Sequence, residues 1–150
     1  MNLLDLKESV TCAEMSREAF VIEKSSGNST YDTQFSYALD LLKTKDKSAL
    51  TTAEFLLKDC FLRADDSKKR ECIFLIAIAN TKMGHYEQAI ECCNNLLNVN
   101  PNDHQSHDLK VEIERRRRRE GIVGASLIAS GVVVAVAGVA AALALLLRRS

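Results

Sequence analysis

Apolar residues in the first 120 positions recur three or four apart, as in Phe35, Ala38, Leu39 and Leu42 or in Ile73, Ile76 and Ala77, and nowhere show the period-two alternation of a half-buried strand. One proline, Pro101, and two glycines, Gly27 and Gly84, interrupt this stretch, so little stands in the way of long helices. The pattern predicts helices at about 5–24, 32–45, 48–62, 67–83, 86–99 and 103–120, with polar connections at 25–30 and 64–67. The fold class that follows is all-α.

Beyond position 120 the pattern changes. Residues 122–147 are apolar apart from Gly and Ser, and a run of about 20 such residues suffices to cross roughly 30 Å of hydrocarbon. A soluble domain of some 120 residues is too small to surround so long an uncharged helix, so the run is expected to be one C-terminal transmembrane helix. Only Arg148, Arg149 and Ser150 follow it, which predicts insertion after synthesis, as a tail anchor. Near the N-terminus Leu3, Leu4 and Leu6 are broken up by Asp5, Lys7 and Glu8, so no signal-peptide core is expected and the bulk of the chain should face the cytosol. The domain division is then 1–120, a cytosolic helical bundle, and 121–150, the anchor with its helix at 122–147.

Charge sharpens this division. The 20 basic and 20 acidic side chains cancel over the whole chain, but residues 1–109 carry 12 basic against 17 acidic and residues 110–120 carry six against three. Arg115, Arg116, Arg117, Arg118 and Arg119 stand immediately before the apolar run, and with Arg148 and Arg149 they flank it on both sides. Such clusters mark the cytoplasmic side of a span and attract anionic headgroups at about 1 kcal/mol per charge, so the lipid bilayer is an expected partner. Arginine runs also bind nucleic acid, but no aromatic is interleaved here and the membrane accounts for the charge, so no nucleic-acid partner is expected. Gly124, Gly131 and Gly138 recur every seven residues, and Gly131 with Ala135 makes a small-xxx-small pair that would allow a homo-oligomer through the span.

The 34 residues 70–103 fit the tetratricopeptide pattern of helix, tight turn and second helix. Ala77 takes the small position where the two helices cross, Gly84 and Tyr86 make the turn, Ala89 lets the second helix pack closely, and Pro101 ends the unit. A weaker copy upstream has Ala38 and Ala53 in the small roles. Two stacked repeats need caps, which the first and last helices would supply. The expectation is a six-helix tetratricopeptide-like bundle of two divergent repeats with capping helices, plus the transmembrane helix.

Thr33-Gln34-Phe35-x-Tyr37-Ala38, Tyr86-Glu87-x-Ala89-Ile90, Leu96-Leu97 with Pro101, and Gly121-Ile122-Val123-Gly124 together resemble the mitochondrial fission 1 protein family over nearly the whole chain. The resemblance implies a tail-anchored adaptor on the mitochondrial outer membrane and on peroxisomes. It implies partners among dynamin-related GTPases, their adaptors and Rab-GTPase-activating proteins, and an N-terminal segment able to cover the binding groove. Thr81 stands where the family places an aromatic.

Tetratricopeptide arrays bind ligands on the concave face formed by the first helix of each repeat. Repeat positions select Phe35, Leu39, Leu42 and Lys43 from one such helix, and Phe74, Ile78, Thr81 and Lys82 from the next. An apolar strip edged by two lysines suits an amphipathic or extended peptide with acidic flanks. Each of these side chains has a competing role as core. The apolar Leu3, Leu4 and Leu6 form a regulatory arm expected to fold onto the groove. An alternative function is membrane remodelling through oligomerisation of the anchor and basic stretch.

No catalytic constellation is present. Cys12, Cys60, Cys72, Cys92 and Cys93 lack CxxC spacing and read as core residues, and His104 with His107 has no third ligand nearby, so no metal, cofactor or enzymatic activity is expected.

Overall fold

The computed structural model describes residues 10–121, with side chains from residue 14 onward. The arm leucines Leu3, Leu4 and Leu6, the span at 122–147 and Arg148 and Arg149 lie outside the described residues. Six helices follow in order: α1 (Val10–Ser25), α2 (Tyr31–Leu42), α3 (Lys47–Arg63), α4 (Asp66–Met83), α5 (Tyr86–Val99) and α6 (His104–Arg119). Among the described residues no helix is long and apolar enough to cross a membrane.

Local chemistry explains the boundaries. Thr30, Asp46 and Asp65 hold extended backbone, and their side chains accept from the first free N–H groups of α2, α3 and α4. The second helix stops at Leu42, short of the predicted residue 45, because Asp46 is drawn out to cap α3. The Lys43 and Thr44 N–H groups then turn back to the carbonyls of Asp40 and Leu41. After α4, Gly84 takes φ +83° and His85 N–H reaches the Asn80 carbonyl at 2.8 Å, the six-to-one bond that closes a helix only where a left-handed residue follows it.

Each helix packs on the next in sequence, and α2 also touches α4. The elements therefore stack as antiparallel hairpins. At one end the α2–α3 and α4–α5 turns gather with the C-terminus of α6: Lys82 Nζ donates to the Leu42 carbonyl, Thr51 Oγ1 donates to Met83 Sδ at 3.5 Å, and Arg117 pairs with Glu87 at 2.7 Å. At the other end Arg63 donates to Gln34 and Arg70 pairs with Asp103. The stack is closed by α1, whose Phe20 stacks on Tyr37 with centroids 5.4 Å apart, and by α6, which buries Ser106, Leu109 and Ile113 at three- and four-residue spacing and leaves its other face wet.

The crossings are made by small residues. Ala38 and Ala53 in the first repeat and Ala77 and Ala89 in the second have no exposed surface, so the backbones of successive helices approach without an intervening side chain. Ala89→Leu would force three extra carbons into a filled crossing, and overpacking of this kind costs typically about 1–3 kcal/mol. The expected result is a lower denaturation midpoint with helical content retained at low temperature. An unchanged midpoint would show that Ala89 is not at a crossing.

Candidate functional site

The face offered by α2 and α4 is built from two aromatic side chains and a leucine. Phe35 is half-buried and stacks on Tyr31 at 5.5 Å, and the Tyr31 ring also lies beneath Lys68 Nζ at 4.7 Å. One turn on along α2, Leu39 meets Phe74 of α4 at a cavity of about 390 Å³ that opens between α2, α4 and the start of α6. Leu75 and Leu96 form apolar wall, and Arg70, Asp103 and Ser106 make a polar rim. Arg70 is held by Asp103 at 3.4 Å. Asp103 also accepts from Ser106 Oγ at 2.7 Å, and that bond is the chief cause of its carboxyl lying below the usual range. An apolar floor with a fixed charged edge can seat an apolar side chain of a peptide and orient its polar neighbours.

Of the eight groove positions expected from sequence, Phe35, Leu39 and Phe74 present surface. Leu42, Ile78 and Thr81 do not: their exposures are 0 %, 1 % and 2 %. The physical reason is the place of α4, which is enclosed by α2, α3 and α5, so that Cys72, Ile73 and all positions from Leu75 to Met83 except Lys82 are buried. Thr81 spends its hydroxyl on the Ala77 carbonyl at 2.7 Å, which lets a polar side chain sit in the core. The two lysines are engaged within the fold: Lys43 pairs with Asp40, and Lys82 Nζ donates to the Leu42 carbonyl, fastening α4 to the end of α2. Sequence reasoning missed Tyr31, Arg70 and Asp103. The last two are the first and last residues of the 34-residue unit, and their pairing across its ends was the signal available.

The basic stretch is ordered by acids. Glu112 accepts from Arg115 and Arg116 at 2.7 Å each, and Glu87 of α5 accepts from Arg117. Those two arginines, Arg115 first, pull the Glu112 carboxyl down to about 2. At the same corner the Tyr86 hydroxyl is pushed up to about 12, mainly by burial and secondly by its hydrogen bond with Glu120.

Cys60, Cys72, Cys92 and Cys93 are free thiols in the core. Burial pushes Cys60 up to about 11 and Cys92 and Cys93 up to about 12, so they carry no thiolate at neutral pH to attack a substrate or bind a metal. His104 and His107 are exposed, and among the described residues no group of three His, Cys, Asp or Glu side chains is placed to hold a metal ion.

A family model described as the Fis1 C-terminal tetratricopeptide repeat matches residues 70–122. The mitochondrial fission 1 protein of Mycosarcoma maydis is 31% identical over 133 residues, which span 87% of both chains. That of Homo sapiens is 28% identical over 131 residues, 87% of this chain and 86% of the human one. The fold matches the crystal structure of Fis1 from Saccharomyces cerevisiae with a TM-score of 0.70 at 24% identity, over 81% of this chain and 95% of that one. It matches yeast Fis1 in complex with an Mdv1 fragment with a TM-score of 0.69 at 24% identity, over 79% and 91% of the two chains.

Two outcomes separate the floor of this face from the core beneath it. Ile78→Ala removes a fully enclosed side chain and should cost about 2–5 kcal/mol, whereas Leu39→Ala at the cavity mouth should cost about 1 kcal/mol or less, both read from urea unfolding. Equal losses would place both residues in the core. For Glu112, a folded-state value near 2 against about 4.3 unfolded gives a contribution present above about pH 5 and lost as the pH falls towards 2. Glu112→Gln should therefore lower stability at pH 7 and have little effect near pH 2. A loss independent of pH would contradict the pairing.

Proposed function

The chain belongs to the mitochondrial fission 1 family, whose members are tetratricopeptide-like adaptors and not enzymes, and from that premise we propose that it recruits fission machinery to the mitochondrial outer membrane through the face between α2, α4 and α6. The proposed partner is a dynamin-related GTPase or one of its adaptors. Residues 1–120 are the cytosolic recruiting domain and residues 121–150 the tail anchor, with a transmembrane helix at 122–147. The single observation that carries the reading is the open cavity with Leu39 and Phe74 at its apolar side and a polar rim, beside a stretch of α4 from Cys72 to Met83 whose other side chains are almost all buried.

The yeast Fis1 structure in complex with an Mdv1 fragment that contains an N-terminal extension and coiled coil supports a partner-recruiting role for a fold of this shape. The same anchor chemistry supports a peroxisomal pool, and Rab-GTPase-activating proteins are further candidates for the same face. Leu3, Leu4 and Leu6 are proposed to compete for it, because an apolar arm on the same chain works at millimolar effective concentration against any weak ligand.

The test uses full-length chain in vesicles and purified dynamin-related GTPase. Leu39→Glu and Phe74→Glu each place a carboxylate at the cavity mouth, where water can still reach it, so the fold should persist while GTPase recruitment falls at least tenfold. Retention of the chain on the vesicles should not change. Recruitment that survives both substitutions, or that the anchor and basic stretch support alone, would contradict the reading and favour action through the membrane segment.

A further inference from the structure

We infer that the end of the bundle where α6 terminates is a docking surface for an anionic lipid bilayer, with Lys45 of the α2–α3 turn and Lys47 at the start of α3 acting together with Arg118 and Arg119. The inference rests on reading residues 122–147 as a membrane span, and it adds the part of the folded domain that lies against the headgroups.

The two ends of the hairpin stack differ in charge. The α3–α4 connection and the start of α6 place Asp59, Asp65, Asp66, Asp103 and Asp108 at one end, where Arg63, Lys69 and Arg70 pair with three of them and Lys68 is the remaining cation of these segments. The opposite end holds the α2–α3 turn, the α4–α5 turn and the last turns of α6, which are tied together by the Lys82–Leu42 and Arg117–Glu87 contacts. Most acids at that end are engaged within the fold, while Glu120 stays exposed next to Arg119 with a hydrogen bond to Tyr86. Asp46 caps α3, Asp40 pairs with Lys43, Glu112 holds Arg115 and Arg116, and Glu87 holds Arg117. Lys45, Lys47, Arg118 and Arg119 are exposed and have no ion pair among the described residues. Four cations drawn from two separate elements thus share one end of the molecule.

The chain itself indicates what this end meets. Gly121, at φ +68°, closes α6 with its N–H on the Arg118 carbonyl, and the uncharged run begins at the next residue. A helix that terminates two residues before the span brings its own end of the bundle to headgroup level. Exposed cations spread over two elements suit many phosphates in a plane better than one enclosed anion. Each lysine or arginine near such a surface strengthens attraction roughly five-fold, over a distance set by a Debye length of about 8 Å at physiological salt. The domain would then stand with its basic end down, holding the cavity at Leu39 and Phe74 towards the cytosol.

The chain contains no tryptophan, so a single one reports position. Ser48→Trp marks the basic end and Asn28→Trp the opposite end, both at exposed sites. Full-length protein is placed in phosphatidylcholine vesicles with or without phosphatidylserine, each carrying a dansyl headgroup acceptor, and flotation is checked first. On anionic vesicles, energy transfer should be severalfold greater from position 48 than from position 28. The contrast should collapse on neutral vesicles, in high salt, and with Lys45→Glu plus Lys47→Glu, whose exposed positions leave the circular dichroism unchanged. Equal transfer from the two ends, or a contrast indifferent to lipid charge and to both lysines, overturns the docking surface while leaving the anchor intact. Failure to float with either vesicle overturns the span and this inference with it.

Discussion

A helical hairpin cannot bury its own apolar side, and everything distinctive in this chain follows from stacking hairpins until that side is covered. The constraint falls hardest on α4, which packs against α2, α3 and α5 and from Cys72 to Met83 is buried almost all round. Such a helix has no polar face to spare, so its polar residues must satisfy themselves within it. Asn80 does so by donating to the Ile76 carbonyl and to Glu54, and Thr81 by donating to Ala77. The alanines at the crossings are the other half of the constraint, since close backbone approach is what allows one helix to touch three neighbours.

From that arrangement comes a division of labour. Because α4 beyond Glu71 gives nearly all its surface to the core, the recognition face is narrow: Phe74 from α4, Phe35 and Leu39 from α2, and the Arg70–Asp103 pair that joins the ends of the second repeat. The capping helices do the rest. On one side α1 is fastened to α2 through Glu23, whose carboxylate accepts from the Thr30 N–H and from the Thr30 and Thr33 hydroxyls, and the backbone bond to Thr30 is the main reason its carboxyl stays below the ordinary value. On the other, α6 carries its arginines to the corner made by Tyr86, Glu87 and Glu120. The stack thus offers a cavity for a partner's side chain on one face and a basic surface at one end, without either competing for the same residues.

Much of the fold was legible in sequence because its signals are local. Helix periodicity, the turn at Gly84 and the small alanines at the crossings are each decided within a few residues, whereas the Asp46 cap that ends α2 early was not read. The family resemblance read from Tyr86, Ala89 and Pro101 agrees with the match over residues 70–122. The site was less legible. A repeat pattern says which positions point from α2 and α4 towards the concave side, but exposure there depends on how closely the next repeat closes over them. That closure buried Leu42, Ile78 and Thr81 and left Phe35, Leu39 and Phe74. Nor could pattern alone show that Lys43 and Lys82 would be occupied inside the fold, since their partners, Asp40 and the Leu42 carbonyl, are a matter of geometry at the helix ends.

The central claim is that a fission partner is received on the α2–α4–α6 face and not on the outer surface formed by α3, where Phe55 and Leu62 stand 69 % and 76 % exposed. Amide hydrogen exchange on the full-length chain in vesicles, with and without a saturating dynamin-related GTPase or its adaptor, tests it most directly. Added protection concentrated around Phe35, Leu39, Phe74 and the start of α6, with α3 unchanged, is the predicted result. Protection centred on Phe55 and Leu62 with the cavity residues unchanged would contradict it.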